Sequence, residues 1–591
     1  MKTRYYQIIC AICIVCGITS CSDFLEIKPQ NEILFEDFWS EKADVENIVT
    51  GCYSALSEDG VRRRMMIWGE ARTENVMASE RTKTNADPNL YSILKEDIKA
   101  TNSYTTWDGF YDVINRCNTV LKYAPVVAEK DPSYTQSDLK ATIAEVTALR
   151  SLCYFYLIRT FRDVPFSREA FTDDDQKMDL EATPFAEVLD NLIADLEAVK
   201  GDAVKRYPEV KRSDPKYRYQ TGRITQDAIH ALLCELYLWK GDYDQCINYA
   251  DLVINSKKVI QEEQDLKNTS SGISVDKTAL KERLEGYPLV NDNLKGASFG
   301  DAYETIFADG ASKESILELS YDSNPEKTGM TNNSAIVELY GCDNKTGLLV
   351  ASKVLNEDYE VSSSRKVFAD ENKKVDARMY SNCDCTTEGG RIMKYAADIL
   401  TINAASTTNI TVSKSYFTEK SNGSPWIIYR LADIMLMKAE ALCEKMDDDV
   451  DKASDAYNKA LLDTAYQLVN VINKRSICKQ KLSTSDFLKA PTTKTQLSDL
   501  VKRERQRELM FEGKRWFDLV RYCLRANNTD AIVNIVTNRE DVNKSFAQNF
   551  FKNNMNAIFW PYNNEELKVN RNLVPNPAFS SGENSSYEKS K

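Results

Sequence analysis

The sequence predicts a mainly α-helical fold, in which tetratricopeptide-like helical hairpins form a scaffold and a loop-rich insertion carries short strands and helices. Apolar residues recur at spacings of three and four in several blocks, which is typical of amphipathic helices. Two of these blocks have small and aromatic residues where the helices of a hairpin would cross. The chain has 591 residues, and one hydrophobic core rarely grows beyond ~250–300 residues, so several sub-cores are expected.

The first twenty residues predict a secretory signal peptide. Lys2 and Arg4 precede an apolar run over residues 8–18, which is too short to span a bilayer permanently. The sequence Ile-Thr-Ser-Cys that ends at Cys21 resembles a bacterial lipobox, in which the cysteine is lipidated and begins the mature chain. Lipidation would anchor the protein firmly. The alternative is an ordinary signal peptide that is cleaved before a chance cysteine.

The mature chain, residues 21–591, is expected to be a single domain that begins with helical repeats over residues 40–256. Ser40 is an N-cap candidate before an apolar stripe that ends at Leu56. A block rich in alanine, leucine and aromatic residues, Leu139–Phe161, predicts a helix that stops shortly before a proline. These patterns predict helices that bury one face each.

Two blocks predict helical hairpins. In residues 228–254, the turn glycine, the aromatic and the small residue of a tetratricopeptide hairpin fall at Gly241, Tyr243 and Cys246. In the C-terminal half, a long helix is predicted over residues 426–443. The helix that follows it has its small, aromatic and small positions at Ala453, Tyr457 and Ala460. Each hairpin leaves one face apolar, so neighbouring hairpins must cover it.

The remaining segments differ in composition. Residues 257–425 are rich in Asn, Ser, Gly, Asp and Lys, which predicts a loop-rich insertion, and a region of this length without strong periodicity is usually functional or disordered. Residues 426–530 are expected to be C-terminal repeat helices, and residues 531–591 a closing segment and tail, whose last dozen residues are polar and expected to fray.

Charge, histidine and cysteine content exclude several functions. The net charge of −13 gives no global field that attracts nucleic acid. The only histidine is His230, so multi-histidine zinc sites cannot form and His-dependent triads have one candidate base. Eleven cysteines follow Cys21, an odd number that does not look like a disulfide framework. Only Cys383 and Cys385 form a close pair, and with no second pair nearby we expect no metal site.

Five groups of short motifs in a fixed order resemble one protein family. They are Cys21–Leu25 with Phe38–Ser40, Ala148–Phe155 with Asp163–Pro165, Tyr429–Asp433 with Ala439–Ala441, Arg507–Leu509 with Glu512–Arg521, and Trp560–Pro561 with Asn576–Phe579. Along its whole length the chain is similar to the SusD/RagB family of outer-membrane nutrient-uptake lipoproteins. It departs from the family pattern at Arg162, where glycine is common, and at Pro575.

The resemblance implies a protein that binds without catalysing and needs no cofactor. It would be lipid-anchored in the outer membrane, face the exterior and cap a SusC-like TonB-dependent barrel transporter. Its ligand would be an oligomeric nutrient, usually a glycan fragment bound by exposed aromatic residues and hydrogen bonds. Peptide uptake on the same scaffold, a secreted glycoside hydrolase and a scaffold that binds only proteins are the alternatives.

The resemblance also places ligand-binding loops after the first helices and in the insertion. In the first loop it points to three aromatic residues and three polar neighbours: Trp68, Tyr91 and Tyr104 with Asn75, Asn85 and Asp87. In the insertion it points to aromatic residues beside glycine or asparagine: Tyr287, Phe299 and Tyr340.

One predicted helix carries charges that must be buried. Arg430, Asp433 and Glu440 lie among apolar residues, so they need partners of opposite charge. We expect four residues of the next motif to supply these partners: Arg507, Glu508, Arg515 and Asp518. A paired-carboxylate active site, as in glycosidases, is the less favoured reading.

Overall fold

The computed structural model describes residues 38–579, except 174, 212–213, 271–276, 294–297, 323–330, 353–366, 369–375, 385–389, 407–408 and 449–454. The predicted signal peptide, Cys21, Cys385, Ala453 and the C-terminal tail lie outside the described residues.

The described chain is mainly helical, as predicted. Its helices are α1 (Lys42–Leu56), α2 (Asp59–Glu70), α3 (Glu80–Lys83), α4 (Pro88–Leu94), α5 (Asp108–Lys130), α6 (Gln136–Phe161), α7 (Phe185–Val199), α8 (Tyr219–Gly222), α9 (Gln226–Lys240), α10 (Tyr243–Ser270), α11 (Lys277–Leu284), α12 (Asp301–Tyr303), α13 (Ser334–Leu339), α14 (Ala377–Asn382), α15 (Leu431–Glu444), α16 (Ala456–Arg475), α17 (Lys494–Leu509), α18 (Arg515–Ala526), α19 (Asp530–Val536), α20 (Lys544–Phe551) and α21 (Asn564–Val569).

The strands are short and form small ladders of two or three. They are β1 (Val76–Ala78), β2 (Val164–Pro165), β3 (Ala182–Thr183), β4 (Ser298–Phe299), β5 (Ser315–Leu319), β6 (Gly341–Cys342), β7 (Lys345–Thr346), β8 (Leu349–Ala351), β9 (Ala397–Ser406), β10 (Asn409–Tyr416) and β11 (Trp426–Arg430). The pairings are all antiparallel: β1 with β8, β2 with β3, β5 with β11, β6 with β7, and β9 with both β10 and β4.

Sequential helices pack as hairpins. The hairpin predicted over residues 228–254 is formed by α9 and α10, which pack against each other. Gly241 ends α9 with φ +83°, a left-handed conformation that glycine adopts without steric cost. The amide of Asp242 then donates to the carbonyl oxygen of Tyr237 at 3.0 Å and closes the helix end. The turn glycine therefore has the role that the sequence predicted.

A long apolar helix, α6, lies in the core. Helix α6 is long and apolar enough to cross a membrane by length and composition, but 89% of its most apolar window is buried inside the protein. It packs between α5 and α7. Its apolar surface is therefore explained by the burial that neighbouring helices provide.

The helix predicted over residues 426–443 is wrong at its start. Residues 426–430 form the strand β11, and the helix α15 begins only at Leu431. All five strand residues are buried, and four of them pair with β5, with Trp426 opposite Leu319 and a register shift at Ile428. Tryptophan, two isoleucines and tyrosine favour a strand, but burial on both faces removes the alternation that would reveal one.

A buried ion-pair network joins α15 to the segment that ends α17 and begins α18. Arg430 pairs with Glu508, as predicted. Asp433, however, pairs with Arg505 and Lys514.

Three of the four predicted partners were wrong. Arg507 pairs with Glu504, Arg515 pairs with Glu74, and Asp518 pairs with Arg505 and Arg521. Glu440 is paired with Arg521 and Arg525. The buried charges are thus matched, but mostly by residues other than those expected.

The departure at Arg162 has a backbone explanation. Arg162 follows α6 with φ +72°, where an L-residue is crowded and glycine is not. Its Nη1 donates to Oδ1 of Asn556 at 3.1 Å. The common glycine of the family pattern suits this backbone conformation.

Candidate functional site

A cleft of about 600 Å³ opens between the first loop and the insertion. One wall is the end of β1 with α3, and the other is the turn at Asn344 with β7 and the middle of β8. The lining residues are Met77, Ala78, Ser79, Glu80, Arg81, Lys83, Asn344, Lys345, Thr346 and Val350. The volume lies within the ~300–1,000 Å³ range of small-molecule and cofactor sites.

Backbone and cap hydrogen bonds hold the two walls together. Strands β1 and β8 pair with Met77 opposite Val350. Ser79 begins α3 as its N-cap, and its amide donates to the carbonyl oxygen of Leu348 at 3.1 Å. The hydroxyl of Thr82 donates to the same oxygen at 2.6 Å. The cleft is therefore built on rigid elements of the two segments that were predicted to carry ligand loops.

Two cations inside the cleft share one carboxylate. Nη2 of Arg81 lies 2.8 Å from Oε1 of Glu338, and Nζ of Lys345 lies 2.5 Å from Oε2. Burial alone would raise the pKa of Glu338, but the hydrogen bonds from Lys345 and Arg81 hold it below its usual value. Nη1 of Arg81 also donates to the carbonyl oxygen of Thr346 at 2.7 Å. Glu338 therefore stays ionised and fixes both cations.

A second charged group stands at the rim. Nζ of Lys83 lies 3.1 Å from Oε1 of Glu80. This hydrogen bond, with smaller contributions from Asp541 and Tyr91, raises the pKa of Lys83. The carboxylate of Asp541 also accepts from the amide of Ala78 at 2.9 Å. Tyr91, one of the predicted ligand residues, interacts electrostatically with Lys83 but does not line the cleft.

Trp68 and Tyr104 were expected to face a ligand, and the structure places both in the core. The ring of Trp68 is stacked on Phe110 with centroids 5.0 Å apart, and its Nε1 donates to the carbonyl oxygen of Tyr104. Tyr104 donates its hydroxyl to Oδ2 of Asp87 at 2.6 Å. Burial, and then the nearby Asp87 charge, raise the pKa of Tyr104. The expectation is corrected because a helix bundle closes over both rings.

Asn75 is also buried. Its amide donates to Oε1 of Glu70 at 2.8 Å and its oxygen accepts from Nε2 of Gln506 at 2.9 Å. Burial raises the pKa of Glu70 to about 7 despite the hydrogen bond from Asn75. Asn75 therefore ties the first loop to α17 and is not a surface ligand.

Phe299 and Tyr340 of the insertion are corrected in the same way. Phe299 is buried in β4, opposite Ile402 of β9. The hydroxyl of Tyr340 donates to the carbonyl oxygen of Phe511 at 2.9 Å in the core. Glycine and polar residues flank both aromatics along the chain, but packing from distant segments covers them.

The other predicted residues are accessible. Asn85 is exposed with φ +74°, and Asp87 caps α4 by accepting from the amide of Leu90 at 2.9 Å. Tyr91 is half-buried with Nζ of Lys95 4.9 Å from its ring centroid. Tyr287 is half-buried beside α10, where Nζ of Lys258 lies 4.4 Å from its ring. Asn85, Asp87 and Tyr91 remain site candidates.

None of the residues that line the cleft was singled out from the sequence. Arg81, Asn344, Lys345 and Thr346 are polar or charged, whereas Met77, Ala78 and Val350 are apolar. The available signal was the turn sequence that ends in Gly347, a polar tight connection between apolar residues. Aromatic residues alone do not reveal this turn, because none lies between Asn344 and Gly347.

The single histidine is packed. The ring of His230 lies 5.6 Å from that of Tyr249, and burial lowers its pKa to about 4. It is therefore uncharged at neutral pH. Among the described residues no group of three or more His, Cys, Asp or Glu side chains could hold a metal ion.

Two family descriptions match the chain. The model described as "SusD family" matches residues 313–579. The model described as "Starch-binding associating with outer membrane" matches residues 23–238. The two matches do not overlap, and together they span most of the chain.

Individual proteins that are similar to this chain are also described as SusD-like. SusD-like protein P38 of Formosa agariphila is 23% identical over 518 residues, which is 85% of this chain and 88% of that protein. A SusD homolog from Bacteroides thetaiotaomicron has the same fold with a TM-score of 0.59, 19% identity, and coverage of 92% of this chain and 99% of the other. A structure described as a laminarin-binding SusD-like protein gives a TM-score of 0.57 at 18% identity, with coverage of 91% and 99%. The chain belongs to the SusD/RagB family.

Proposed function

We propose that this protein is an outer-membrane lipoprotein that faces the exterior, binds an oligosaccharide and delivers it to a SusC-like TonB-dependent transporter. Cys21 carries the lipid anchor, and the cleft between α3 and β7 holds the ligand. The protein binds and releases the oligosaccharide without chemistry, so no cofactor is needed.

The position of the cleft carries the proposal. Its first wall belongs to the segment matched by the starch-binding description, and its second wall belongs to the segment matched by the SusD description. A cleft of about 600 Å³ accommodates a short oligosaccharide. Serine, asparagine, threonine and charged side chains line it and offer hydrogen bonds to sugar hydroxyl groups. A laminarin-binding relative with the same fold supports glycans over peptides.

Three outcomes would favour other functions. Binding of peptides in place of glycans would indicate peptide uptake on the same scaffold. Turnover of a fluorogenic glycoside would indicate a secreted glycoside hydrolase. Capture of the barrel transporter without affinity for any small ligand would indicate a scaffold that binds only proteins.

Removal of the Tyr91 side chain is expected to weaken oligosaccharide binding without lowering the melting temperature. The half-buried ring lies near the rim at Lys83, where a sugar ring can stack on it. Calorimetry of Tyr91→Ala against a panel of oligosaccharides should show an affinity loss of about fivefold, since such ring contacts contribute ~1 kcal/mol. The control is Tyr457→Ala on α16, whose side chain is 54% exposed and outside the cleft. Equal affinities for both variants would remove Tyr91 from the site.

Substitution of the proposed lipidation site should release the protein from the membrane. A lipidated Cys21 carries several acyl chains, each of which adds ~0.8 kcal/mol per buried CH₂ group. Cys21→Ala is therefore expected to move the protein from the membrane pellet to the soluble fraction, measured by fractionation and immunoblotting. Cys52→Ala, at a buried cysteine of α1, serves as the control that should remain in the pellet. Retention of Cys21→Ala in the pellet would contradict the anchor.

A further inference from the structure

The pair formed by Arg81 and Lys345 has more positive charge than its immediate carboxylate neutralises. Both cations contact Glu338, one at each carboxylate oxygen. An arginine has five N–H donors and a lysine ammonium three, and the bonds to Glu338 and to Thr346 use only part of this capacity. The two side chains are 31% and 30% exposed and line the cleft. Their remaining donors can therefore reach a ligand.

Other nearby charges change this balance little. Glu419 lies 3.8 Å from Nζ of Lys345, but its side chain is 69% exposed, and such pairs are weak in water. Lys83 is matched by Glu80 and Asp541 at the rim. Between Arg81 and Lys345 themselves, two cations therefore face one fixed carboxylate, that of Glu338, while the rim adds the cation of Lys83 and the carboxylates of Glu80 and Asp541.

The net charge of −13 does not cancel this local excess. At physiological ionic strength the Debye length is about 8 Å, so charges spread over a protein of this size are mostly screened at the cleft. The ion pairs within a few ångströms decide which ligand charge is favoured. An anionic group placed between Arg81 and Lys345 would form charge-assisted hydrogen bonds, which are roughly twice as strong as neutral ones.

We propose that the oligosaccharide is anionic, with a carboxylate or sulfate group that binds between Arg81 and Lys345. This inference rests on the proposed function, because it assigns the chemical class of the ligand in the same cleft. Asn344 and Thr346, which lie on either side of Lys345 in the turn, are placed to bond the sugar hydroxyls next to that group. Glu338, whose side chain is 22% exposed, orients both cations and is a positioning residue.

The test compares neutral and anionic probes on the mature full-length protein. Calorimetry would measure binding of laminarin oligosaccharides, oligogalacturonates and sulfated carrageenan oligosaccharides at 50 and 300 mM salt. We expect at least one anionic set to bind ten times more tightly than the neutral set at low salt, and to lose most of this advantage at high salt. The two anionic sets distinguish carboxylate from sulfate recognition.

Charge-neutralising variants locate the effect. Arg81→Gln and Lys345→Gln should each weaken anionic binding about tenfold and remove most of its salt dependence. Lys459→Gln, at an exposed ion pair of α16, is the matched control and should change neither. Thermal melting checks that the variants are folded, and the salt dependence of the unmodified protein tests the proposal even where a variant is unstable.

The outcomes separate the two proposals. If neutral oligosaccharides bind as tightly as anionic ones and salt has no effect, the anionic ligand is excluded while oligosaccharide binding stands. If no oligosaccharide of any set binds, both proposals fail.

Discussion

Replacement of Arg430 by methionine is expected to lower the free energy of unfolding by about 3–5 kcal/mol, because removal of one member of a buried ion pair leaves its partners uncompensated. Arg430 is fully buried at the start of α15. Its Nε and Nη2 donate to the two carboxylate oxygens of Glu512 at 2.9 and 2.7 Å, and its Nη1 donates to Glu508 at 2.6 Å.

After loss of Arg430, Glu508 and Glu512 would keep different numbers of cationic partners. Glu508 retains Arg378 and Arg475 as partners, whereas Glu512 retains Lys394. Burial raises the pKa of Glu512, and the cations, Arg430 first, bring it below its usual value. Loss of Arg430 should therefore raise the pKa of Glu512.

Because folding lowers the pKa of Glu512, the free energy of unfolding that Arg430→Met removes should depend on pH. A carboxylate whose pKa is lowered by folding stabilises the protein above its unfolded pKa, and this stability is lost as the pH falls through the folded value. Arg430→Met should therefore cost most near neutral pH and less below about pH 4.

Urea unfolding at pH 7 and pH 4 would measure the effect. The control is Arg503→Met, an arginine of α17 that is exposed and bonds only a backbone oxygen among the contacts of the described residues. It should change the free energy of unfolding by less than ~0.5 kcal/mol. Equal losses for both variants would show that the network does not stabilise the fold.

The sequence predicted local structure better than long-range contacts. The hairpin over residues 228–254 was predictable because Gly241 has a conformation that few other residues adopt. The strand at residues 426–430 was not, since its partner β5 lies more than a hundred residues earlier. The partners of Asp433 depend on how α17 and α18 are rotated, which helical periodicity within one segment does not determine.

The site shows the same division. The first loop and the insertion meet in the structure, because β1 and β8 join them beside the cleft, and ligand binding there stays a prediction. Four of the six predicted aromatic residues are buried, among them Trp68, which packs against Phe110 and Phe161, and Tyr340, which contacts Phe511. The pairing of Arg81 with Lys345 could not be predicted from the sequence, because both cations are brought together by Glu338 only in the tertiary structure.

The closest backbone approach in the described fold predicts a second large effect. Gly69 near the end of α2 faces Gly513 in the link between α17 and α18. A Cβ atom on Gly69 would lie 1.8 Å from the carbonyl oxygen of Gly513 and 2.3 Å from its carbonyl carbon. These are backbone atoms, so no rotamer change can relieve the clash, and Gly513 itself has φ +67°.

Gly69→Ala is therefore expected to cost ~3 kcal/mol or more, at or above the upper end of ordinary overpacking. Space for the added Cβ atom can be made only by moving α2 away from the α17–α18 link. This link also holds Tyr340, whose hydroxyl donates to the carbonyl oxygen of Phe511. Thermal and urea unfolding should show a large loss, or the variant should fail to accumulate as folded protein. Gly201→Ala is the matched control, because a Cβ atom there meets nothing within 4 Å, and its stability should change by less than ~0.5 kcal/mol. If Gly69→Ala were as stable as this control, the two segments could not approach as closely as the structure shows.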